Sequence, residues 1–166
     1  MERKRKTWAW IFVALIAVTI GFIWINSCLD KTSSAEESGA VHGTLQKILD
    51  FIFSGKVVIS QAAVRKLAHF TEFFVLGAEI CGLYAIVKAE KVRILGFISL
   101  LQYGTYVAVI DEGIQVLSAR GAAVSDIFLD FSGYLLSVVL FILAYYVVNK
   151  IITAKKIKTA KMPPAE

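Results

Sequence analysis

The sequence predicts an all-α membrane protein with four transmembrane helices and a short extracytoplasmic amphipathic helix. Three observations carry that prediction. Of the 166 residues, 57% are hydrophobic, above the roughly 45–50% of a soluble domain, and the mean hydropathy is +0.68. The excess falls in four blocks, residues 8–25, about 67–87, about 92–110 and about 127–148, and a spanning helix needs roughly 17–25 such residues. The ionisable residues within or beside these blocks gather at one membrane face, where the cost of charge in a bilayer makes them candidates for function.

The first block follows a basic stretch at residues 1–7. That order has the outline of a signal peptide, but an apolar run of about 18 residues exceeds the 7–15 of a cleaved signal. Ile25-Asn26-Ser27-Cys28 has the rough form of a lipoprotein cleavage box in which Asn26 fits poorly. Residues 8–25 are therefore read as a retained first span. Residues 26–64 form an extracytoplasmic loop. Its first part, 26–43, is a polar linker in which His42 is a bystander. From 44 to 54, Leu45, Ile48, Leu49, Ile52 and Phe53 recur at helical spacing between Gly43 and Gly55, which predicts an amphipathic helix lying on the outer surface. The plain role of such a helix is to cover the bundle; the sharper one is to gate the charged site. Ser60 is placed to cap a helix running from Gln61, and Ser125 to cap the fourth helix, where Asp126 in the first turn suits the helix dipole. Residues 65–148 hold the other three spans. The tail, 149–166, is basic, ends near Pro163-Pro164 and is expected to lack structure.

Lys and Arg set the orientation. With the N-terminus inside, twelve lie on the cytoplasmic side, among them Arg3 to Lys6, the 88–93 loop and the tail, against six outside. Cytoplasmic loops carry the excess, so both termini are expected to be cytoplasmic and the charged cluster to face outward. The net charge of +5 then reflects topology and attraction to anionic lipid heads. The basic ends flank spans and lack interleaved aromatics, which excludes nucleic acid as a partner. Cys28 and Cys81 are expected at different depths, which argues against a disulfide. Four spans lack the inverted repeats of typical carriers; a homo-oligomer would restore symmetry.

At 100° per residue, Arg65, His69, Glu72 and Glu79 fall within an arc of about 80° on the second span. Asp111 and Gln115 continue the line of Gly104 and Ala108 on the third, and Asp126, Asp130, Gly133 and Ser137 form one stripe on the fourth. Facing one another, the three stripes can pair, and Gly104 and Gly133 allow close helix approach. Five acids, Glu72, Asp111, Glu112, Asp126 and Asp130, meet three bases, Arg65, Lys66 and Arg120, with His69 able to add one. The surplus is resolved by protonated carboxyls, a bound cation or a cationic ligand, and the sequence leaves these open. His69, Glu72, Asp111 and Glu112 are the catalytic candidates: His69 and Glu72 as a base and its orienter, Asp111, Glu112 and Asp126 as oxygen ligands for a divalent cation. Arg65, Lys66, Gln115, Arg120, Asp126 and Asp130 are the ligand-binding candidates, the cations suited to a lipid phosphate. Neither a His-Glu-x-x-His motif nor a nucleophile elbow is present. The plain alternative is a set of buried ion pairs that fixes helix register.

Arg65-Lys66-Leu67-Ala68-His69-Phe70-Thr71-Glu72-Phe73 with Leu76-Gly77, then Asp111-Glu112-Gly113-Ile114-Gln115, Arg120, Ser125-Asp126 and Gly133 resemble, in order and spacing over about residues 64–137, the VanZ-like family of small membrane proteins. Two positions depart from that pattern. Asp130 stands where the family commonly has Asn, and Glu79 is an added carboxylate. The resemblance implies a bacterial, cytoplasmic-membrane protein associated with resistance to teicoplanin-type glycopeptides, which carry a lipid tail. The ligand expected is a lipid-linked cell-wall precursor, a lipid head group or the lipoglycopeptide; the alternative is a membrane-embedded, metal-assisted hydrolase or transferase acting on a lipid head group.

Overall fold

The computed structural model describes residues 2–28, 39, 42–47, 50, 58–87, 94–118 and 124–160, with residues 94, 95, 97 and 155–160 described by backbone alone. Among the described residues the secondary structure is all α-helix. Its four long helices are α1 (Glu2–Cys28), α2 (Gln61–Val87), α3 (Ile94–Leu117) and α4 (Val124–Ala160). Residues 42–47 and 50 are also helical, within or beside the expected amphipathic segment 44–54; the rest of that segment, the 88–93 loop, most of the 26–43 linker and Arg120 lie outside the described residues.

Three helices are long and apolar enough to cross a membrane: Glu2–Cys28, Gln61–Val87 and the Val124–Ala154 part of α4. α3 is not among them on the residues described. Its 24 residues would extend about 36 Å at 1.5 Å each, enough to cross a hydrocarbon core of about 30 Å, and three of the residues at its start are described by backbone alone. The exposed surface fits a membrane protein. Trp10, Val18, Ile25, Phe128 and Tyr146 are all exposed, while Asp111, Glu112, Gln115, Asp130 and Ser137 are buried. Large exposed apolar faces mark contact with a membrane or partner.

α2 and α4 form the central pair, with α1 packed on α2 and α3 on α4 and α1. Phe73, Leu76, Leu100, Val107, Tyr134 and Val138 make the core, joined by Ile23 of α1. Two glycines set the central distance. A Cβ on Gly133 would run into the Phe70 carbonyl, and one on Gly77 into Ser137 Oγ and the Tyr134 carbonyl, so α2 and α4 touch along their backbones. Small residues allow such close packing in membranes. Gly104 makes room for the Tyr134 ring, whose hydroxyl donates to the Leu100 carbonyl at 2.7 Å.

The helix ends show which local expectations hold. Ser60 caps α2: its Oγ accepts from the Ala63 amide at 3.2 Å and its carbonyl from the Val64 amide at 3.0 Å. Ser125 does not cap α4. It lies within the helix, which begins at Val124, and its hydroxyl faces Asp126 Oδ1 at 3.3 Å. The tail was expected to lack structure from residue 149, yet α4 continues to Ala160, because neither Gly nor Pro occurs between Tyr134 and Ala160 to stop it. α1 also overruns its apolar block at both ends, taking in Arg3 to Lys6 and Asn26 to Cys28. His42 belongs to the helical stretch, not to a free loop, and its Nε2 donates to the Ile59 carbonyl at 2.7 Å.

Candidate functional site: a polar pocket beside an apolar groove

Antiparallel packing brings the C-terminal ends of α1 and α3 to the N-terminal ends of α2 and α4. Both spacing-derived stripes on α3 and α4 turn inward: Gly104, Ala108, Asp111 and Gln115 are buried, as are Asp130, Gly133 and Ser137. Seven of the sequence-derived candidates, Arg65, Lys66, His69, Glu112, Gln115, Asp126 and Asp130, line one small pocket with Leu129. Its volume is about 20 Å³, enough for one water-sized occupant.

Behind it sits Asp111, fully buried and held from both sides. Ser27 Oγ of α1 donates to its Oδ1 at 2.6 Å, and Gln115 Nε2 to its Oδ2 at 2.9 Å. The Gln115 amide also reaches Ser27 Oγ at 3.4 Å. Ser118 Oγ donates to the Ser27 carbonyl at 2.8 Å, satisfying one of the carbonyls that a helix end leaves without an intrahelical partner. His69 Nδ1 stands between two buried carboxylates, 3.8 Å from Asp111 Oδ2 and 3.7 Å from Asp130 Oδ1. Asp130 is 1% exposed, yet neither of its oxygens accepts a hydrogen bond among the described residues. At the mouth, Lys66 Nζ lies 3.5 Å from Asp126 Oδ1, both partly open to the outside.

Glu72 faces differently. Asn26 Nδ2 of α1 donates to its Oε1 at 3.2 Å, and among the described residues it is the one ionisable group in the wall of a second, larger space. That space is a groove of about 540 Å³ between α1 and α2, walled chiefly by Val18, Phe22, Val64, Leu67, Ala68 and Val75, with Leu45 also lining it. The Ile59 amide donates to Gln46 Oε1 at 3.1 Å, which ties the short helical stretch to the start of α2. Deeper still, Thr19 Oγ1 donates to Glu79 Oε1 at 3.0 Å.

Sequence reasoning missed the contribution of α1. Asn26 and Ser27 were read as linker, yet they bond to Glu72 and Asp111. A signal was present: Ile16, Ile20, Ile23 and Ser27 recur at i, i+4, i+7 and i+11, and this stripe is the one α1 buries.

The family model described as VanZ/LLP1 matches residues 10–145. The chain belongs to the VanZ/LLP1 family. The matched span reaches from α1 to α4, so it takes in the polar pocket, Asn26 and Ser27, and both walls of the groove. Neither the curated proteins nor the solved structures give a match. Family membership in VanZ/LLP1 carries an association with glycopeptide resistance.

Proposed function

We propose that this VanZ/LLP1 protein lowers the susceptibility of a bacterial cell to lipid-tailed glycopeptides such as teicoplanin by holding a lipid-bearing ligand at the outer face of the cytoplasmic membrane. In this reading all four long helices span the membrane, both termini are cytoplasmic, and the polar pocket faces outward. The ligand is a lipid-linked cell-wall precursor, a lipid head group or the lipoglycopeptide. One observation carries the reading: a polar pocket and an apolar groove adjoin on the same helix, with Glu72 in the groove wall and His69 less than one turn away in the pocket. An amphipathic ligand needs that pairing of surfaces. Arg65 and Lys66 at the pocket suit phosphate oxygens, and the carboxylates suit cationic groups of an antibiotic.

The test is susceptibility in a host lacking the protein, comparing wild type with Glu72→Gln and Asp126→Asn at equal membrane levels. Wild type should protect against teicoplanin more than against a relative without the lipid tail, and the variants should protect less. Equal protection against both antibiotics would count against the reading.

A second reading, hydrolysis or group transfer on a lipid head group, is favoured by the position of His69 between two carboxylates, which suits an oriented general base. Mass spectrometry of isolated cell-wall lipids and phospholipids incubated with the protein tests it; unchanged lipids would end it.

A further inference from the structure

We propose that His69, Asp111 and Asp130 form a binding site for one divalent transition-metal ion, Zn²⁺ before others. The proposal does not depend on the ligand named above, and lipid binding would survive its failure.

The three residues come from α2, α3 and α4, and one ligating atom of each lies within 4.8 Å of the other two. Tetrahedral ligands on bonds of about 2.0–2.1 Å stand roughly 3.3–3.4 Å apart. The two His69 separations, 3.8 and 3.7 Å, are a few tenths wider, and the two carboxylates lie within 4.8 Å of each other, so the three side chains would draw together on an ion. The same separations are too long for hydrogen bonds, so the imidazole and the carboxylates converge without bonding through Nδ1 to those oxygens.

Asp130 supplies the independent observation. It is 1% exposed, and both its oxygens lack a hydrogen-bond donor among the described residues. A buried carboxylate of that kind is costly unless paired or bound to a metal. Asp111 is already prepared: Ser27 and Gln115 donate to its two oxygens, the outer-layer support that orients metal-ligating carboxylates.

Asp111 and Asp130 together present two carboxylates to a cation. The imidazole also selects the metal. An all-oxygen site built from Asp111, Glu112 and Asp126 would suit Mg²⁺ or Ca²⁺; one imidazole with two carboxylates favours Zn²⁺, with Mn²⁺ next. Three protein ligands leave a fourth position facing the pocket of about 20 Å³ beside Glu112, room for a water or one ligand oxygen.

Asp130 also makes the site testable. Asp130→Asn keeps the side-chain size while removing the charge. The experiment uses the full chain in detergent, stripped of metal by chelation, with Zn²⁺, Mn²⁺ and Mg²⁺ each titrated alone. Bound metal is measured by equilibrium dialysis and elemental analysis, and melting temperature is recorded in parallel. Wild type should saturate at one Zn²⁺ per chain and melt higher when loaded. Asp130→Asn and His69→Gln should bind at least about tenfold more weakly and lose the Zn²⁺-dependent rise. Absence of saturable Zn²⁺ or Mn²⁺ binding by wild type overturns the proposal. So does unchanged binding in either variant that elutes as a monodisperse, helical species; His69→Gln gives the reading if Asp130→Asn fails to insert.

Discussion

Gly133 of α4 meets the backbone carbonyl of Phe70 of α2 with no room for a Cβ between them. His69 is the residue before Phe70, and Asp130 lies one turn before Gly133. A close backbone contact between α2 and α4 therefore lies beside the imidazole and the Asp130 carboxylate, which are 3.7 Å apart.

Gly133→Val should consequently part α2 and α4 at the site itself. Overpacking a close contact costs about 1–3 kcal/mol, read as a lower melting temperature in detergent. Protection against teicoplanin should fall further than that stability loss explains. Gly113→Ala is the control, since a Cβ at Gly113 meets nothing within 4 Å; it should leave both readouts unchanged.

Ser27→Ala should remove a donor from a fully buried carboxylate. Leaving a buried acceptor short of its partner costs about 1–3 kcal/mol. A double-mutant cycle with Asp111→Asn checks it: the two losses should fall well short of additive, because both act on one bond. Additive losses would mean that Ser27 acts by packing.

The Lys66–Asp126 pair should matter little to folding. It is 3.5 Å long with Lys66 half-exposed, and exposed pairs contribute about 0–1 kcal/mol. Lys66→Gln should leave the melting temperature within about 4 °C of wild type, the scale of that energy for a chain of this size. If the basic mouth of the pocket attracts an anionic head group, the same substitution should weaken protection in a salt-dependent way.

Filling the groove should separate its role from that of the pocket. Ala68→Trp and Val18→Trp place bulk in its walls, at positions exposed enough to accept it. Both should insert normally and lower protection against lipid-tailed glycopeptides. Leu140→Trp, on a part-exposed face of α4 away from the groove, should have no effect.

Much of the polar site was legible because charge in an apolar helix has few places to go. The stripes Asp111–Gln115 and Asp126–Asp130–Gly133–Ser137 followed from helical spacing alone, and the structure turns both inward. Gly133 as a point of close approach was legible for the same reason. Ser27 was not, because hydropathy ends at Ile25 while the helix runs on: no Gly or Pro follows until Gly39. The overrun of α4 past residue 149 has that same cause. The groove was hidden for a different reason. Val, Leu and Phe facing a groove and Val, Leu and Phe facing lipid are the same residues, and only their arrangement distinguishes them.

The bond from Ser27 to Asp111 spans 84 residues of sequence, which gives assembly a fixed order. At about 5–20 residues per second of synthesis, Ser27 waits roughly 4–17 s for its partner to be made. During that interval α1 and α2 can pair through Asn26 and Glu72, but His69 has neither of its carboxylate neighbours. The cluster of His69, Asp111 and Asp130 from α2, α3 and α4 therefore closes last, after α4 is made, and a chain stalled before α4 would leave a half-built polar end exposed to the machinery that removes unfinished membrane proteins.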